Sequence, residues 1–361
     1  MPKKYNLRFI HCADIHLGHR QYGLDQRASD FAKSFEWLCD EAINNKVDFM
    51  IISGDMFDTR TLNPQTLEYA VKPLYKLQEN NITIYVIDGN HDRKMYKDKI
   101  GWLEYLDHEG LIEYIKEYNI IVKEYNVISL GYNNKIDFDE ITYFDNGFNI
   151  IMLHAGLEGI IPSMNGISKE EINKLKPYCD YLALGHIHKP YQIDDWIYNP
   201  GSLEHWSISE SEWDGGYYLV SVDTNTKNFT TKHIPSPKRK MVRLNFHNSQ
   251  IIHMLEECTP NVDDAIVELS VTGISDNKPN IDAIRNGANE IHPEIFYLKI
   301  VDKTKRPSSL DSEQSIKNRT DLERDAIDSI TKDGKMTDLV LQIKKQIDDD
   351  PEELLEVIEN V

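Results

Sequence analysis

Five short polar clusters in the first half of the chain contain side chains that can bind metal ions. Between them they offer three carboxylates, one amide and five imidazoles. Such oxygen and nitrogen ligands, without any thiolate, suit manganese, iron or zinc, and the mixture is typical of a two-metal site rather than of one tetrahedral zinc. The clusters are Asp14-Ile15-His16, Gly54-Asp55, Gly89-Asn90-His91-Asp92, His154 and Gly185-His186-Ile187-His188.

A two-metal site of this kind can support hydrolysis, including hydrolysis at phosphorus. Two divalent ions held roughly 3.5 to 4 Å apart can activate a water molecule near neutral pH and stabilise an in-line displacement. Any one of these clusters by itself is more often a turn beside a solvated histidine. Five clusters in this order, each after an apolar strand-like run, favour the metal site. Asp92 is the residue for which an ordinary turn remains the main alternative to a role at the metal site.

The elements that must position these clusters form an α/β pattern. Short apolar runs alternate with helix-length amphipathic stretches early in the chain, and later runs follow one another at strand spacing, which predicts a second sheet. The clusters lie at the ends of these runs, where open α/β sheets bind their ligands. The predicted strands are Leu7 to Cys12, Phe49 to Ser53, Ile82 to Asp88, Val127 to Tyr132, Phe148 to His154, Tyr181 to Leu184, Tyr217 to Val222 and Phe229 to Ile234.

The last third of the chain contains a boundary and two further segments. Two prolines in three residues, at Pro235-Ser236-Pro237, do not continue a strand or helix, so we expect a first domain over residues 1–235. Residues 238–304 are expected to form a small α+β domain, followed over 306–361 by a linker and a helical tail. In the small domain the pattern predicts strands at Met241 to Phe246, Ala265 to Val271 and Ile295 to Val301, with a helix at Ile281 to Ile291.

The end of the tail predicts two short amphipathic helices. They are too small to bury their apolar faces alone, which indicates a partner groove. The apolar positions are Leu339, Ile343, Ile347, Leu354, Leu355 and Ile358.

Composition restricts the class of protein. Forty Lys and Arg against sixty Asp and Glu give the 361 residues a net charge of −20, which argues against coating nucleic acid or anionic membrane by bulk charge. Local basic patches at Lys94, Lys97 and Lys99, or at Lys238-Arg239-Lys240, could bind phosphate, although ordinary solvated side chains explain them equally well. No apolar run approaches the roughly 20 residues of a membrane span, so we expect a cytoplasmic protein that does not bind membranes. The four cysteines lack CxxC spacing and are expected to be buried small hydrophobes.

The five clusters resemble the motif series of the calcineurin-like metallophosphoesterase superfamily across residues 14 to 188. The resemblance implies a two-sheet α-β-β-α sandwich that binds two divalent metal ions. It also implies that His91 is not a ligand but protonates the leaving oxygen or stabilises the phosphoryl group. The implied ligands of the first ion are Asp14, His16, Asp55 and His188, and those of the second are the bridging Asp55 with Asn90, His154 and His186.

Further segments resemble the archaeal members of the meiotic-recombination-eleven/SbcD nuclease family. These are Ala13 to Leu24, Ser53 to Asp58, Ala183 to Lys189 and Pro200 to Ser202. The resemblance implies a manganese-dependent 3′ to 5′ exonuclease and single-strand or hairpin endonuclease that acts in DNA double-strand-break repair. It also implies a homodimer, a DNA-capping role for residues 238–304, and docking of the terminal helices on a Rad-fifty/SbcC-type ATPase.

Several residues have more than one interpretation. Relatives often have a histidine where this chain has Asp58, which we interpret as a turn or helix cap. His11 is expected to face the sheet core, and His19 to lie in a loop near the site where it could contact DNA. A helical stripe of Leu67, Val71, Leu74 and Leu77 fits either a homodimer interface or core packing.

Two other functions remain open at this point. One is a cyclic-nucleotide or small-molecule phosphodiesterase, which would use the same metals but need neither the small domain nor the tail. The other is a DNA-end-binding scaffold, which the full set of polar residues argues against, since it has no packing purpose.

Overall fold

The computed structural model describes residues 6–306 except 96–97, 119, 123–124, 133–134, 142–143, 145, 163–165, 249–260 and 275–277, together with residues 324, 327, 335–338, 340 and 341. The strands are β1 (Leu7–Cys12), β2 (Phe49–Ser53), β3 (Thr83–Ile87), β4 (Glu113–Tyr114), β5 (Ile120–Val122), β6 (Tyr125–Tyr132), β7 (Phe148–His154), β8 (Tyr181–Gly185), β9 (Tyr191–Ile193), β10 (Ile197–Asn199), β11 (Gly216–Asp223), β12 (Asn228–Pro235), β13 (Met241–His247), β14 (Ile266–Thr272) and β15 (Tyr297–Asp302). The helices are α1 (Asp25–Asn44), α2 (Pro64–Glu79), α3 (Trp102–His108), α4 (Lys169–Asn173) and α5 (Ile281–Ile291).

Two six-stranded sheets face each other. The first has the order β12-β11-β1-β2-β3-β4, and the second has the order β5-β6-β7-β8-β10-β9. β1, β2, β3 and β4 run parallel, and so do β6, β7, β8 and β10. Because parallel neighbours end at the same edge of a sheet, the loops after β1, β2 and β3 lie side by side, as do those after β7 and β8.

Side-chain alternation along the strands builds the layers. Phe9 and Phe49 point between the sheets, where they pack in one core with Phe148 of the second sheet. Ile10 points the opposite way and packs with α1, α2 and α3. The outer face of the second sheet, which includes Ile151, packs against α4 and its neighbouring loops. This is the predicted α-β-β-α sandwich, and the fold class is confirmed.

Polar caps set the helix starts. The Asn63 side chain accepts a hydrogen bond from the Thr66 N–H at 2.8 Å, and Pro64 supplies a preset φ at the first helical position of α2. On α2, Leu74 and Leu77 are buried in the core, and Leu67 and Val71 pack against it. The apolar stripe of α2 therefore packs against the core of its own chain, and the homodimer stays a prediction.

A third sheet follows β12. It contains β13, β14 and β15, all parallel, and α5 covers one face through Ile284 and Ala288. A small cluster of Ile208, Met241 and Ile266 packs with Tyr22 and joins this sheet to the sandwich. The predicted helix at Ile281 to Ile291 is confirmed, whereas the two- and three-residue strands β4, β5, β9 and β10 were not predicted, since such short runs show no alternation.

The chain divides after Lys305 into two units, residues 1–305 and 306–361. In the second unit the described residues beyond Arg306 are helical, and all six of the predicted apolar helix positions lie outside them. Among the described residues no helix is both long and apolar enough to cross a bilayer. Cys12, Cys39 and Cys179 are buried, as predicted, and Cys258 lies outside the described residues.

Candidate metal centre

The ends of five parallel strands place the polar clusters together. Asp14 and His16 follow β1, Asp55 follows β2, Asn90 and His91 follow β3, His154 is the last residue of β7, and His186 and His188 follow β8. Hydrogen bonds tie the two sheets together at this edge. The His186 N–H donates to both Asp14 carboxylate oxygens at 3.0 Å, and His154 Nδ1 donates to the Ser53 carbonyl at 2.7 Å.

Ligand atoms converge there in three overlapping groups, within each of which they lie within 4.8 Å of one another. The groups are Asp14-His16-His188, Asp14-Asp55-His154 and His16-Asp55-His91. Asn90 joins them through its Oδ1, 3.3 Å from His154 Nε2, and the His186 ring centroid lies 5.2 Å from that of His154. The structure thus brings all eight sequence-predicted site residues into one region, with Asp55 in two of the three groups.

The donor set fits a cation. His154 donates from Nδ1 to a carbonyl, so its Nε2, which faces the acceptors Asp55 Oδ2 at 3.2 Å and Asn90 Oδ1 at 3.3 Å, must carry either a proton or a metal ion. His188 repeats the pattern, because its Nδ1 lies 3.0 Å from Glu210 Oε1 while its Nε2 lies 3.0 Å from His16 Nε2. Acceptors that face acceptors need a positive charge between them, and imidazole nitrogen with carboxylate and amide oxygen suits a divalent transition metal.

Electrostatics at the site show the same demand for positive charge beside Asp55. Burial by itself would raise the pKa of Asp55, but His154 and His16 outweigh it and hold that pKa well below its usual range. Burial would likewise lower the pKa of His154, but Asp55 and Asp14 raise it to about 9. At His186 burial dominates and lowers the pKa to about 3, so this imidazole is neutral and can act as a ligand.

The backbone is strained at these residues. Asp14, His16, Asp55 and His186 all have positive φ, at 53°, 49°, 53° and 82°. Each such residue costs on the order of 1 kcal/mol or more, and such strain clusters at functional sites. The loops after β2 and β3 also approach each other too closely for a side chain at Gly89, because a Cβ on this residue would lie 2.1 Å from Asp55 Oδ1.

A pocket opens beside the converging ligands. It is lined by His16, Asp55, Asn90, His91, Ile161, His186, Ile187, His188, Trp206, Glu210 and Trp213. His91 donates from Nδ1 to the Asp58 carbonyl at 2.6 Å, so its Nε2 is the nitrogen that can gain and lose a proton. The His91 backbone N–H donates to Asp55 Oδ1 at 3.0 Å.

Asp92 has a structural position. Its carboxylate accepts hydrogen bonds from the backbone N–H groups of Met56, Phe57 and Gly89 at 3.0 to 3.1 Å. It thereby fastens the loop after β2 to the loop after β3, in agreement with the turn interpretation.

Asp58 fits the turn alternative of its interpretation but not the helix-cap alternative. It lies in a bend, and Asn63, not Asp58, caps α2. The Asp58 carboxylate accepts a hydrogen bond from Trp206 Nε1 at 3.0 Å and contacts His19 Nδ1 at 3.0 Å. The helix-cap interpretation is therefore wrong.

Other sequence expectations have mixed outcomes. His11 is fully buried and contacts the Tyr181 hydroxyl at 2.9 Å, as predicted for a core residue.

Lys238 contacts Ser236 Oγ at 2.8 Å, and Arg239 donates to Asp30 Oδ1 at 2.9 Å. These two basic side chains are used inside the protein, so neither the phosphate-binding nor the solvated interpretation holds for them. Burial lowers the pKa of Lys238 to about 8.

Sequence reasoning missed Glu210, which orients His188. Its Oε1 accepts from His188 Nδ1 at 3.0 Å, and its Oε2 accepts from the Trp206 N–H at 2.8 Å. The only sequence signal was a carboxylate a short distance beyond Pro200-Gly201-Ser202, which by itself predicts nothing.

We expect Glu210→Gln to weaken binding of a divalent ion by about 10- to 100-fold, because partners that orient a ligating histidine typically contribute that much. Titration of the metal-free protein with Mn²⁺ in a calorimeter measures the change. The matched control is Glu212→Gln, since Glu212 is exposed and near in sequence. Equal affinities in the two variants would show that Glu210 does not support a metal ligand.

Comparison with known proteins gives matches over most of the chain. Residues 7–190 match a family model described as calcineurin-like phosphoesterase. The "DNA double-strand break repair protein Mre11" of Saccharolobus solfataricus is 27% identical over 378 residues, which cover 95% of this chain and 96% of that protein. The protein of the same name from Archaeoglobus fulgidus is 29% identical over 232 residues, which cover 57% of this chain and 52% of that protein.

A third relative and a solved structure also match the chain. The Mre11 protein of Methanocaldococcus jannaschii is 28% identical over 276 residues, which cover 70% of this chain and 74% of that protein. Among solved structures, TT1561 of Thermus thermophilus covers 63% of this chain and 98% of its own, with 10% identity and a TM-score of 0.39.

Proposed function

Because the chain belongs to the calcineurin-like phosphoesterase family, we propose that it is a manganese-dependent DNA nuclease that hydrolyses phosphodiester bonds in double-strand-break repair. In this proposal it acts as a 3′ to 5′ exonuclease and as a single-strand or hairpin endonuclease. It works as a homodimer with a Rad-fifty/SbcC-type ATPase that binds the C-terminal helices, and residues 238–304 cap the DNA.

The observation that supports the proposal is the convergence of carboxylate, amide and imidazole lone pairs around Asp55, beside an open pocket that contains His91. In the proposal one ion is held by Asp14, His16, Asp55 and His188, and the other by Asp55, Asn90, His154 and His186. When bound, two divalent ions supply Lewis-acid activation of water and of the phosphoryl oxygens.

Other residues of the chain orient the ligands and would move a proton. The Asp58 carbonyl accepts the hydrogen bond of His91 Nδ1, so Nε2 of this pocket-lining residue is the atom that would give a proton to the leaving oxygen. Glu210 and the Ser53 carbonyl fix the ring orientations of His188 and His154. These contacts keep the ligands in place before substrate arrives, which reduces the reorganisation needed in the reaction.

The choice of DNA as substrate has separate support. The similarity to the Saccharolobus protein named for DNA double-strand break repair covers 95% of the chain, well beyond the phosphoesterase match at residues 7–190. Within a protein of net charge −20, three basic side chains, Arg60, Lys94 and Lys99, outnumber the two carboxylates, Asp92 and Asp98, in one pocket next to the loop that bears His91. Such a local basic patch can bind a DNA backbone despite the overall acidity.

The test combines end-labelled duplex DNA, end-labelled hairpin DNA and bis-para-nitrophenyl phosphate with the full chain and Mn²⁺. We expect all three to be hydrolysed and hydrolysis to stop when EDTA removes the metal. If the small diester is hydrolysed while both DNA substrates stay intact, with and without the partner ATPase, the protein is another class of phosphodiesterase. If none of the three is cleaved with Mn²⁺, the phosphodiesterase proposal itself fails.

A further inference from the structure

Trp206 is an exposed aromatic residue in the wall of the candidate site. Its side chain lines the same pocket as Asn90 and His91, and 37% of its surface is exposed. Its ring centroid lies 6.4 Å from that of His188. An aromatic ring left partly exposed in the wall of a pocket contributes a hydrophobic contact free energy when a ligand covers it.

The fold holds this indole in one orientation. Its Nε1–H donates to Asp58 Oδ1 at 3.0 Å, its backbone N–H donates to Glu210 Oε2 at 2.8 Å, and its carbonyl lies 3.1 Å from His19 Nε2. The His19 ring stacks on the indole with centroids 4.8 Å apart and an angle of 23° between the planes. All three polar groups of Trp206 already have partners, so what the residue still offers is an apolar π surface.

The loop that bears Trp206 is itself fixed from below. Arg27 donates to the His205 carbonyl at 2.8 Å and to Glu204 Oε1 at 3.3 Å, and Arg27 is fully buried. A rigid aromatic surface loses little conformational entropy when it contacts a ligand, so the contact free energy is not consumed in ordering the side chain.

We propose that Trp206 stacks on the nucleobase next to the scissile phosphodiester and thereby favours unpaired nucleotides. A flat aromatic group adjacent to a phosphodiester is a nucleobase, and a base stacked on the indole takes up a surface that a neighbouring base covers in duplex DNA. The inference rests on the proposed nuclease function and adds the recognition of single-stranded or frayed ends to it.

The experiment measures binding rather than cleavage. A fluorescein-labelled short oligothymidylate is titrated with the full chain in EDTA at low salt, and anisotropy reports the dissociation constant. Trp206→Ala is expected to raise the dissociation constant by about 5- to 150-fold, since stacking of one base on an aromatic side chain contributes in that range. Trp206→Phe keeps a ring and is expected to retain most of the affinity. Tyr75→Ala removes an aromatic residue of similar exposure on α2 and serves as the control.

A single abasic site moved along the oligonucleotide separates stacking from a general structural effect. In the wild-type protein one abasic position should weaken binding as much as Trp206→Ala does, and the variant should be insensitive at that position. If the abasic positions affect Trp206→Ala and the wild-type protein equally, Trp206 does not stack on a base, and the nuclease proposal still stands. If the wild-type protein binds no DNA at all, this inference fails, and cleavage of DNA with Mn²⁺ decides the nuclease proposal separately.

Discussion

Replacing His91 with asparagine is expected to lower the rate of DNA cleavage by about 10²- to 10⁴-fold while divalent ions remain bound, since that is the usual contribution of a positioned acid. The contact of His91 with Asp55 is made by the backbone N–H, which asparagine keeps. What is lost is the imidazole, which lines the pocket and whose Nδ1 is held by the Asp58 carbonyl. Steady-state cleavage of end-labelled DNA measures the rate, and Mn²⁺ titration measures metal binding.

The leaving group distinguishes the two roles that His91 could have. Para-nitrophenolate leaves without a proton, so an acid should matter less for bis-para-nitrophenyl phosphate than for DNA. A smaller loss on the small diester would identify His91 as the proton donor, and equal losses would indicate stabilisation of the phosphoryl group. His108→Asn, at the exposed end of α3, is the matched control. Near-normal DNA cleavage by His91→Asn would refute both roles.

Replacing Arg27 with alanine is expected to destabilise the protein by about 3 to 5 kcal/mol, because it removes the fully buried cation that pairs with two buried carboxylates. Arg27 is fully buried and donates to Gln21 Oε1 at 3.0 Å, to Asp30 Oδ2 at 2.7 Å and to Glu204 Oε1 at 3.3 Å. Asp30 and Glu204 are themselves 7% and 1% exposed. Urea unfolding followed by circular dichroism measures the change in stability.

The control is Arg20→Ala, which removes an exposed pair. Arg20 Nε lies 3.3 Å from Asp25 Oδ1 with both side chains largely in solvent, so we expect a loss of only about 0 to 1 kcal/mol. The same midpoint shift in both variants would contradict a stabilising role for the buried network.

The network also makes stability depend on acid pH. Burial by itself would raise the pKa of Asp30, but hydrogen bonds from Arg239 and Arg27 lower it below its usual value. A group whose pKa is lower in the folded state contributes stability above its unfolded pKa of about 4, and this contribution is lost as pH falls through the folded value. The difference in the free energy of unfolding between the wild-type protein and Arg27→Ala should therefore become smaller as pH falls below about 4.

Much of the fold follows from the local sequence. The strands with strong apolar runs and the helix over Ile281 to Ile291 could be predicted from the sequence. The spacing of apolar residues a few positions apart shows which side chains of a strand or helix are buried. The short strands β4, β5, β9 and β10 could not, because two or three residues are too few to show a period. The direction in which α2 turns its leucines was also undecided, since an apolar stripe has the same pattern whether it meets its own core or a second copy.

The polar clusters could be recognised from the sequence because each consists of metal-binding residue types beside an apolar run, and parallel strands must bring their ends to one edge. Their surroundings depended on the tertiary structure. Trp206 reaches Asp58 across 148 residues, and Glu210 meets His188 only because the loop after β10 folds back over the site. A lone glutamate, tryptophan or aspartate has no local pattern, so the orientation of the ligands and the exposed indole were decided only when the two sheets packed together.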